Sequence, residues 1–553
     1  MKGPRVRGFK GPSALAGPIG SRHLAVNEAI ARAPEPPGSP AKPFSARTLE
    51  PLSPRPVARQ AAAAASGLLI AACFLRFGLY PLAWVAFVPL LWAVRQTATA
   101  RDAARIGLIA GVATNLPAFY WLVYTIHVFG GFGYPLALFF YIMLTLYAAL
   151  QFVVFAVALQ RTGFGPLGLA APVVWVSLEF LYPNLFPWRM ANSQFHAPVL
   201  MQIGDLTGPF GLSFVMLWIS AALAGLIAAP RRILPLAAAG AATVAVLLYG
   251  AARLPAIDRA MAAAPTARVG LVQGDIGIKE KGDVRYFDIN LGRYQQLSED
   301  LQKNVDLIVW PETVSQHWIE VGTKQLTGEE NPFADLHTYL IFGGLAFRVR
   351  GHDQPDEFNS AFLIGPGGVV LDRYDKHVLM PFGEYIPLGS YFPVVYSLSP
   401  ETGGFTAGTG VSVFNVPGKV RIGQLICYED LLAAMSRRAT QAGAEVLLNI
   451  LNDAWYGNTA APYQHQALAL WRAIENRRYL LRGSNSGVTS IIDAAGRVVA
   501  EGKLFRPEVI TGTVHRLHLE TFYTRCGDVF AWSVVVAALM LLWVGRRSGA
   551  GVA

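Results

Sequence analysis

A thiol, a carboxylate and an ammonium group occupy three positions where side chains do covalent chemistry. Cys427 ends the apolar run Val420 to Ile426 and precedes Tyr-Glu-Asp and a helix-like stretch. A strand-to-helix turn sets a nucleophile at a sheet edge, near helix N-terminal N–H groups that stabilise a thiolate and later an oxyanion. Glu312 closes another apolar run, Leu307-Ile-Val-Trp-Pro-Glu, where a rigidly held carboxylate in a partly dry setting can act as general base. Lys376 follows the strand-like Val369-Val-Leu-Asp-Arg-Tyr. Taken singly, each has a plainer reading: an inert core cysteine, a loop cap and a solvated lysine.

The elements that must position these groups lie between about Ala256 and Thr524, a stretch large enough to bury its own core. Strand-like runs are Val269 to Val272, Leu307 to Trp310, Ile341 to Ala346, Ala361 to Ile364, Val420 to Ile426, Val446 to Ile450, Thr489 to Ile492 and Val509 to Val514. Helical spacing appears in Asn290 to Gln302, Leu431 to Ala442 and Gln464 to Arg478. Strands alternating with crossover helices predict a layered α/β sandwich. No phosphate-cradling Gly-x-Gly-x-x-Gly and no paired-cysteine or His-Glu-x-x-His metal pattern occurs; Gly403, Gly404, Gly408 and Gly410 mark a flexible loop. The aromatic run Met380 to Pro400, with Tyr385, Tyr391, Phe392 and Tyr396, reads equally as an interfacial loop admitting acyl chains and as buried packing.

The rest of the chain belongs to a bilayer. Of 553 residues, 53% are hydrophobic and 15% charged, too apolar for an ordinary soluble protein. Eight apolar segments are candidate spans of roughly 30 Å of hydrocarbon: Ala61 to Leu75, Leu79 to Val94, Ala104 to Ile126, Tyr134 to Leu159, Leu167 to Leu181, Phe210 to Ala229, Ile233 to Tyr249 and Val529 to Val544. Arg95, Arg101, Arg105, Arg161, Arg231, Arg232, Arg546 and Arg547 fall on one side of this scheme, Arg76 and Arg189 on the other. The positive-inside rule then puts both termini in the cytoplasm and the α/β segment outside. Residues 1–59 hold ten Lys or Arg against three Asp or Glu and read as a disordered basic tail with no removable signal peptide. The expected organisation is thus tail 1–59, about seven helices over 60–255, a catalytic domain over 256–524, and a last helix in 525–553. Cys73, Cys427 and Cys526 lie in unrelated contexts, which leaves Cys427 a free thiol. Glu179, a carboxylate in an apolar segment, is a functional candidate by position.

Glu312, Lys376 and Cys427, in that order and in those contexts, resemble the nitrilase or carbon–nitrogen hydrolase superfamily. With apolar segments before and after the domain, the chain is similar to that superfamily's membrane-bound apolipoprotein N-acyltransferase family. Val272-Gln-Gly-Asp, Pro381-Phe-Gly-Glu-Tyr-Ile-Pro, Asn452-Asp-Ala-Trp-Tyr-Gly and Asn485-Ser-Gly-Val-Thr extend the resemblance. It implies an αββα sandwich inserted between transmembrane helices, with Cys427 as nucleophile, Glu312 as base and Lys376 as oxyanion partner. It also makes Glu384, Tyr428 and Glu429 site residues, the two carboxylates holding the lysine and positioning the triad. The implied activity moves an acyl chain from a phospholipid, phosphatidylethanolamine in the family, through a thioester to the α-amine of a diacylglyceryl-cysteine on an apolipoprotein. The implied location is the bacterial inner membrane with a periplasmic catalytic domain; no cofactor, metal or nucleic-acid partner is expected. Two other readings stand beside it: a membrane-tethered amidase with the same three groups, and a transporter with an external binding domain.

Overall fold

The computed structural model describes residues 56–75, 79–349, 355–386, 391 and 404–549. Residues 1–55 of the basic tail, Arg76 and most of the aromatic run after Ile386 lie outside the described residues, while residues 56–59, expected to be disordered tail, open the helix Pro56–Phe74.

Thirteen strands are formed among the described residues: β1 (Thr266–Gln273), β2 (Leu307–Val309), β3 (Trp318–Glu320), β4 (Tyr339–Arg348), β5 (Asp356–Ile364), β6 (Val370–Asp375), β7 (Ser412–Val416), β8 (Val420–Ile426), β9 (Val446–Leu451), β10 (Tyr479–Ser484), β11 (Ser490–Ile492), β12 (Val498–Glu501) and β13 (Glu508–His515). They make two sheets, ordered β13-β1-β2-β4-β5-β6, with β3 also on β4, and β12-β11-β10-β9-β8-β7. The strands β1, β2 and β4 run parallel, as do β8, β9 and β10. Two antiparallel steps, β4 to β5 and β5 to β6, return β6 to the direction of β4. The carboxyl ends of β1, β2, β4 and β6 therefore share one edge, the usual place for a site in a sheet with parallel strands.

Alternation along the strands builds the layers. Val269 and Leu271 of β1, Leu307 and Val309 of β2 and Ile341 of β4 pack against Ile422, Ile426, Leu448, Ile450 and Leu481 of the second sheet. The opposite face of the first sheet, with Val272, Ile308 and Leu340, is covered by Leu291 and Tyr294 from the helix Phe287–Ser298. The second sheet's outer face, with Leu447, Leu480 and Ile492, is covered by helices Ala433–Gln441, Ala461–Ala469 and Trp471–Asn476. That third core continues without a break into the apolar helices, through Phe87, Phe152, Phe155, Trp175 and Trp188.

All eight apolar runs expected to be strands lie on strands, and β6 matches its strand-like reading. The helix expected from Gln464 to Arg478 is two helices instead: Ala469 ends the first, and Arg477, at φ +50°, ends the second before β10.

Each of the eight apolar segments is helical, but only four helices are long and apolar enough to cross a bilayer: Pro56–Phe74, Tyr134–Thr162, Pro209–Ala228 and Leu234–Ala263. Ala100–Ala118 and Leu122–Gly130 would make a fifth as one broken span, for they bend by 62° where a single segment, Ala104 to Ile126, is expected. Pro117 lies inside the first of the pair, which explains the break: proline removes a helix N–H and crowds the preceding turn. Tyr80–Arg95, Pro166–Leu181 and Val529–Gly545 are shorter apolar stretches. Glu179, the candidate inside one of them, accepts hydrogen bonds at Oε1 from the Trp175 indole at 2.7 Å and the Met190 N–H at 2.8 Å, and its Oε2 is buried without a partner.

Candidate active site

Glu312 is delivered by β2. Trp310 N–H still bonds Ile341 O at 2.8 Å, and Gly343 N–H then reaches Pro311 O at 3.0 Å, so the chain leaves the sheet under control of β4. Gly343 permits this approach: a Cβ there would lie 2.4 Å from Thr313 N and 2.6 Å from Glu312 Cα. Lys376 follows β6 and is pinned on both sides, its N–H to Asn359 O at 2.9 Å and its carbonyl to Gly408 N–H at 2.8 Å. Cys427 follows β8 and opens a short 3₁₀ turn, Cys427–Leu431, at φ +53°. An L-residue rarely holds that conformation without cause, and strained backbone of this kind concentrates at functional sites.

Glu312 and Lys376 are buried together, and the half-buried Cys427 lies near enough to feel the charge of both. Lys376 Nζ lies 2.8 Å from Glu384 Oε2 and 3.6 Å from Glu312 Oε1. A single amide group, Asn359 Nδ2, donates to both carboxylates, at 2.7 Å to Glu312 and 2.9 Å to Glu384. Glu384 also accepts the Met380 N–H at 2.8 Å. Burial opposes charge on Lys376, but Glu384, Glu312 and Cys427 hold its pKa above the ordinary lysine value. The Cys427 thiol is pushed well above its ordinary value, first by burial and then by Glu312, with Lys376 pulling the other way. The balance favours the neutral thiol over the thiolate, and attack by a thiol in that form needs a base at hand.

Glu429, expected with Glu384 to hold the lysine and position the triad, makes its hydrogen bonds to groups beside the lysine and the cysteine. It accepts Tyr374 OH at 2.8 Å, His377 N–H at 2.8 Å, Val378 N–H at 2.9 Å and Ile426 N–H at 2.9 Å. Those amides flank Lys376 and Cys427, so Glu429 ties the two chain segments together while Glu384 grips the ammonium. Burial raises the Glu429 carboxyl, and the Val378 and Ile426 amides pull it back. Tyr428 is half-buried, and burial together with Tyr385 raises its phenol.

Lys281 and Asn359 carry no sequence signal of their own, and neither do Arg482 and His465 in the ion cluster next to Cys427. Lys281, in a turn that reads as solvated, donates from Nζ to Glu312 O at 2.7 Å. Asn359 is a polar residue inside β5. Beneath Cys427, Asp430 accepts from Arg482 Nε at 3.1 Å and sits 2.9 Å from His465 Nε2, whose Nδ1 is 3.0 Å from Asp453. Burial would lower the His465 pKa, yet Asp430 and Asp453 outweigh it and lift it to about 9. The remaining matched stretches close the same edge: Asp275 N–H bonds Asn485 O at 2.9 Å, and Asn485 Nδ2 reaches Ile276 O at 2.8 Å and Asn452 Oδ1 at 3.2 Å.

Two face-to-face sheets under helices, with thiol, carboxylate and ammonium gathered at one strand edge, define a carbon–nitrogen hydrolase domain, here built onto apolar helices of a membrane protein. Residues 268–522 match the family model described as carbon-nitrogen hydrolase, and residues 66–222 match that of the apolipoprotein N-acyltransferase N-terminal domain. An apolipoprotein N-acyltransferase of Geobacter metallireducens is 35% identical over 497 residues, covering 87% of this chain and 94% of the relative. Those of Chlorobaculum tepidum and Ralstonia nicotianae are 29% and 30% identical, covering 84% and 83% of this chain and 92% and 88% of the relatives. The chain belongs to the apolipoprotein N-acyltransferase family.

Proposed function

We propose that the protein transfers a fatty acyl chain from a phospholipid to the free α-amine of a diacylglyceryl-cysteine at the start of an apolipoprotein, by way of a Cys427 thioester. In the first half, Cys427 Sγ attacks the ester carbonyl as Glu312 takes the thiol proton. Lys376 faces the oxyanion; its collapse expels the lysophospholipid alkoxide, which leaves with the proton from Glu312. In the second half the amine attacks the thioester, Glu312 accepts a proton from nitrogen, and that proton returns to the departing sulfur as the amide forms. An α-amine has a pKa of roughly 7.7–8.0, so much of it is already neutral near pH 7. The acyl donor in this reading is phosphatidylethanolamine. The domain faces the periplasm from a bacterial inner membrane, and the three shorter apolar helices with the bent pair complete eight crossings.

The single observation that carries this reading is the neutral, strained Cys427 beside Glu312 and Lys376 in a sandwich whose outer helices share a core with the apolar helices. Such a thiol has its base and its cation in place, and it sits where a lipid ester can arrive in the plane of the membrane. The test is intact-protein mass spectrometry after incubation with phosphatidylethanolamine vesicles and no acceptor. One acyl mass is expected, absent in Cys427→Ala and discharged by a diacylglyceryl peptide. No adduct, with ammonia released from small amides, would establish a tethered amidase instead; silence in both assays would return the transporter reading.

A further inference from the structure

The break in the helix pair lays an apolar arm against the catalytic edge. Beyond the 62° bend, the second arm, Leu122–Gly130, packs on the short turn Asp453–Tyr456 that follows β9. Trp121, at the head of this arm, meets Tyr456 edge to face with ring centroids 5.2 Å apart, and Phe129, near its far end, meets Trp455 in the same way at 4.4 Å. Tyr124 covers Gly457, where a Cβ would stand 2.8 Å from its ring. Phe129 also covers Gly383: a Cβ there would lie 2.6 Å and 2.8 Å from the Cζ and Cε1 of its ring. The next atom met, Met380 Cγ at 3.7 Å, is in ordinary contact.

Gly383 belongs to the turn that carries Glu384. Met380 O accepts the Gly383 N–H at 3.2 Å and the Glu384 N–H at 3.0 Å, Phe382 N–H reaches Tyr385 O at 2.7 Å, and the Glu384 carboxylate takes the Met380 N–H at 2.8 Å. A turn bonded to itself in this way moves as one piece, and its carboxylate is the one that lies 2.8 Å from Lys376 Nζ. Gly383 has no positive φ, so its backbone suits any L-residue; what leaves no room for a side chain is the Phe129 ring. That ring is wedged between Gly383 and Trp455 and is not free to swing aside. Resting on the function proposed above, we propose that Phe129 is a positioning residue: the helix arm seats its ring on Gly383 and thereby sets where Glu384 meets Lys376. The bend in the helix pair is what brings the ring there.

The test is single-turnover acylation of the full-length protein in nanodiscs, read by intact mass well below the unfolding midpoint of every variant. Phosphatidylethanolamine is diluted in a dialkyl ether phospholipid, which has no ester to give, so that maximal rate and half-saturating mole fraction are separated. Gly383→Ala puts a methyl group about 1 Å closer to the ring than carbon atoms approach, and a misplacement of about 1 Å costs on the order of 100-fold in rate. With part of that taken up by the ring, Gly383→Ala should lose at least about tenfold in maximal rate, as should Phe129→Ala, with the half-saturating mole fraction unchanged. Phe129→Leu removes the ring atoms that the methyl group strikes, so the double variant Gly383→Ala, Phe129→Leu should return to within about threefold of wild type, the coupling expected of residues in contact. Single variants at the wild-type rate, or a double variant as slow as Gly383→Ala, overturn the inference. So does a shift in the half-saturating mole fraction at unchanged maximal rate, which would mean that the ring touches the donor lipid. If the wild type takes up no acyl mass, the transferase reading itself fails; a normal wild type with unmoved or unrescued variants defeats only the role given to Phe129.

Discussion

Replacing Glu429 by glutamine is the sharpest probe of how the site is assembled, because one carboxylate there receives four donors. Glutamine offers a neutral oxygen to Tyr374, His377 and Val378, and turns its amide nitrogen toward the Ile426 N–H, donor against donor. A hydrogen bond to a charged acceptor is worth about 1.5–3 kcal/mol, and a buried donor left unpaired costs about 1–3 kcal/mol. Losing the first and incurring the second gives roughly 2.5–6 kcal/mol, a large part of a typical stability of about 5–15 kcal/mol. The variant should fold with a lowered unfolding midpoint in detergent. The chemistry should suffer more, since His377 and Val378 follow Lys376 directly and Ile426 precedes Cys427. A misplacement of about 1 Å costs on the order of 100-fold in rate, so acyl-enzyme formation should fall by at least about 100-fold. Tyr374→Phe removes one donor and leaves the backbone amides in place; its loss should stay within about tenfold. If Glu429→Gln is acylated within tenfold of wild type, Glu429 does not hold the two segments in register.

Three further outcomes are expected. Gly343→Ala pushes a methyl group into the backbone at Thr313 and Glu312; overpacking of this kind costs about 1–3 kcal/mol, and acylation should fall at least tenfold, a wild-type rate showing that Glu312 tolerates displacement. At position 427, glycine relieves the positive φ that alanine keeps, so Cys427→Gly should unfold later than Cys427→Ala by up to about 1 kcal/mol; an equal or more stable alanine variant would mean the turn is unstrained. His465, raised from 6.5 to about 9, contributes stability that is complete below pH 6.5 and lost as pH rises through about 9, worth at most about 3 kcal/mol. The unfolding midpoint should therefore decline across that window, and a flat profile from pH 6.5 to 9.5 would place the imidazole outside its two carboxylates.

The parts of this protein that were legible in its sequence are those written in local pattern. The runs Val420 to Ile426 and Leu307 to Trp310 announce buried strands because every residue in them is apolar or small and flanked by polar chain, apart from Arg421 and Gln424. β10 was not legible: it is wholly buried, yet it carries Arg482 and Ser484 and follows three arginine or asparagine positions that read as the end of a helix. The Arg482 partner is found only across the fold, Asp430 fifty-two positions away, which takes its Nε. Lys281 and Asn359 escaped for the same reason, since their partners lie thirty-one and forty-seven positions distant. The bend after Ala118 has a local cause in Pro117, but hydropathy is blind to it because the residues on both sides are apolar.

The shared core between the sandwich and the apolar helices fixes a height. Trp121, between the two halves of the bent helix pair, bonds Gln464 at 2.9 Å, and Gln464 in turn bonds Ala118 O at 3.0 Å. Asp205 takes Arg477 at 2.7 Å together with Tyr249 and Arg253 from the helix Leu234–Ala263. Among the described residues these contacts join sandwich and helices directly. If the function proposed above holds, the Cys427 sulfur would keep a set height relative to the bilayer, as a tool is held in a lathe, and the ester of a donor lipid would have to come to it. Under that reading the fixed height, rather than a flexible linker, would set which bond along a lipid can reach the sulfur.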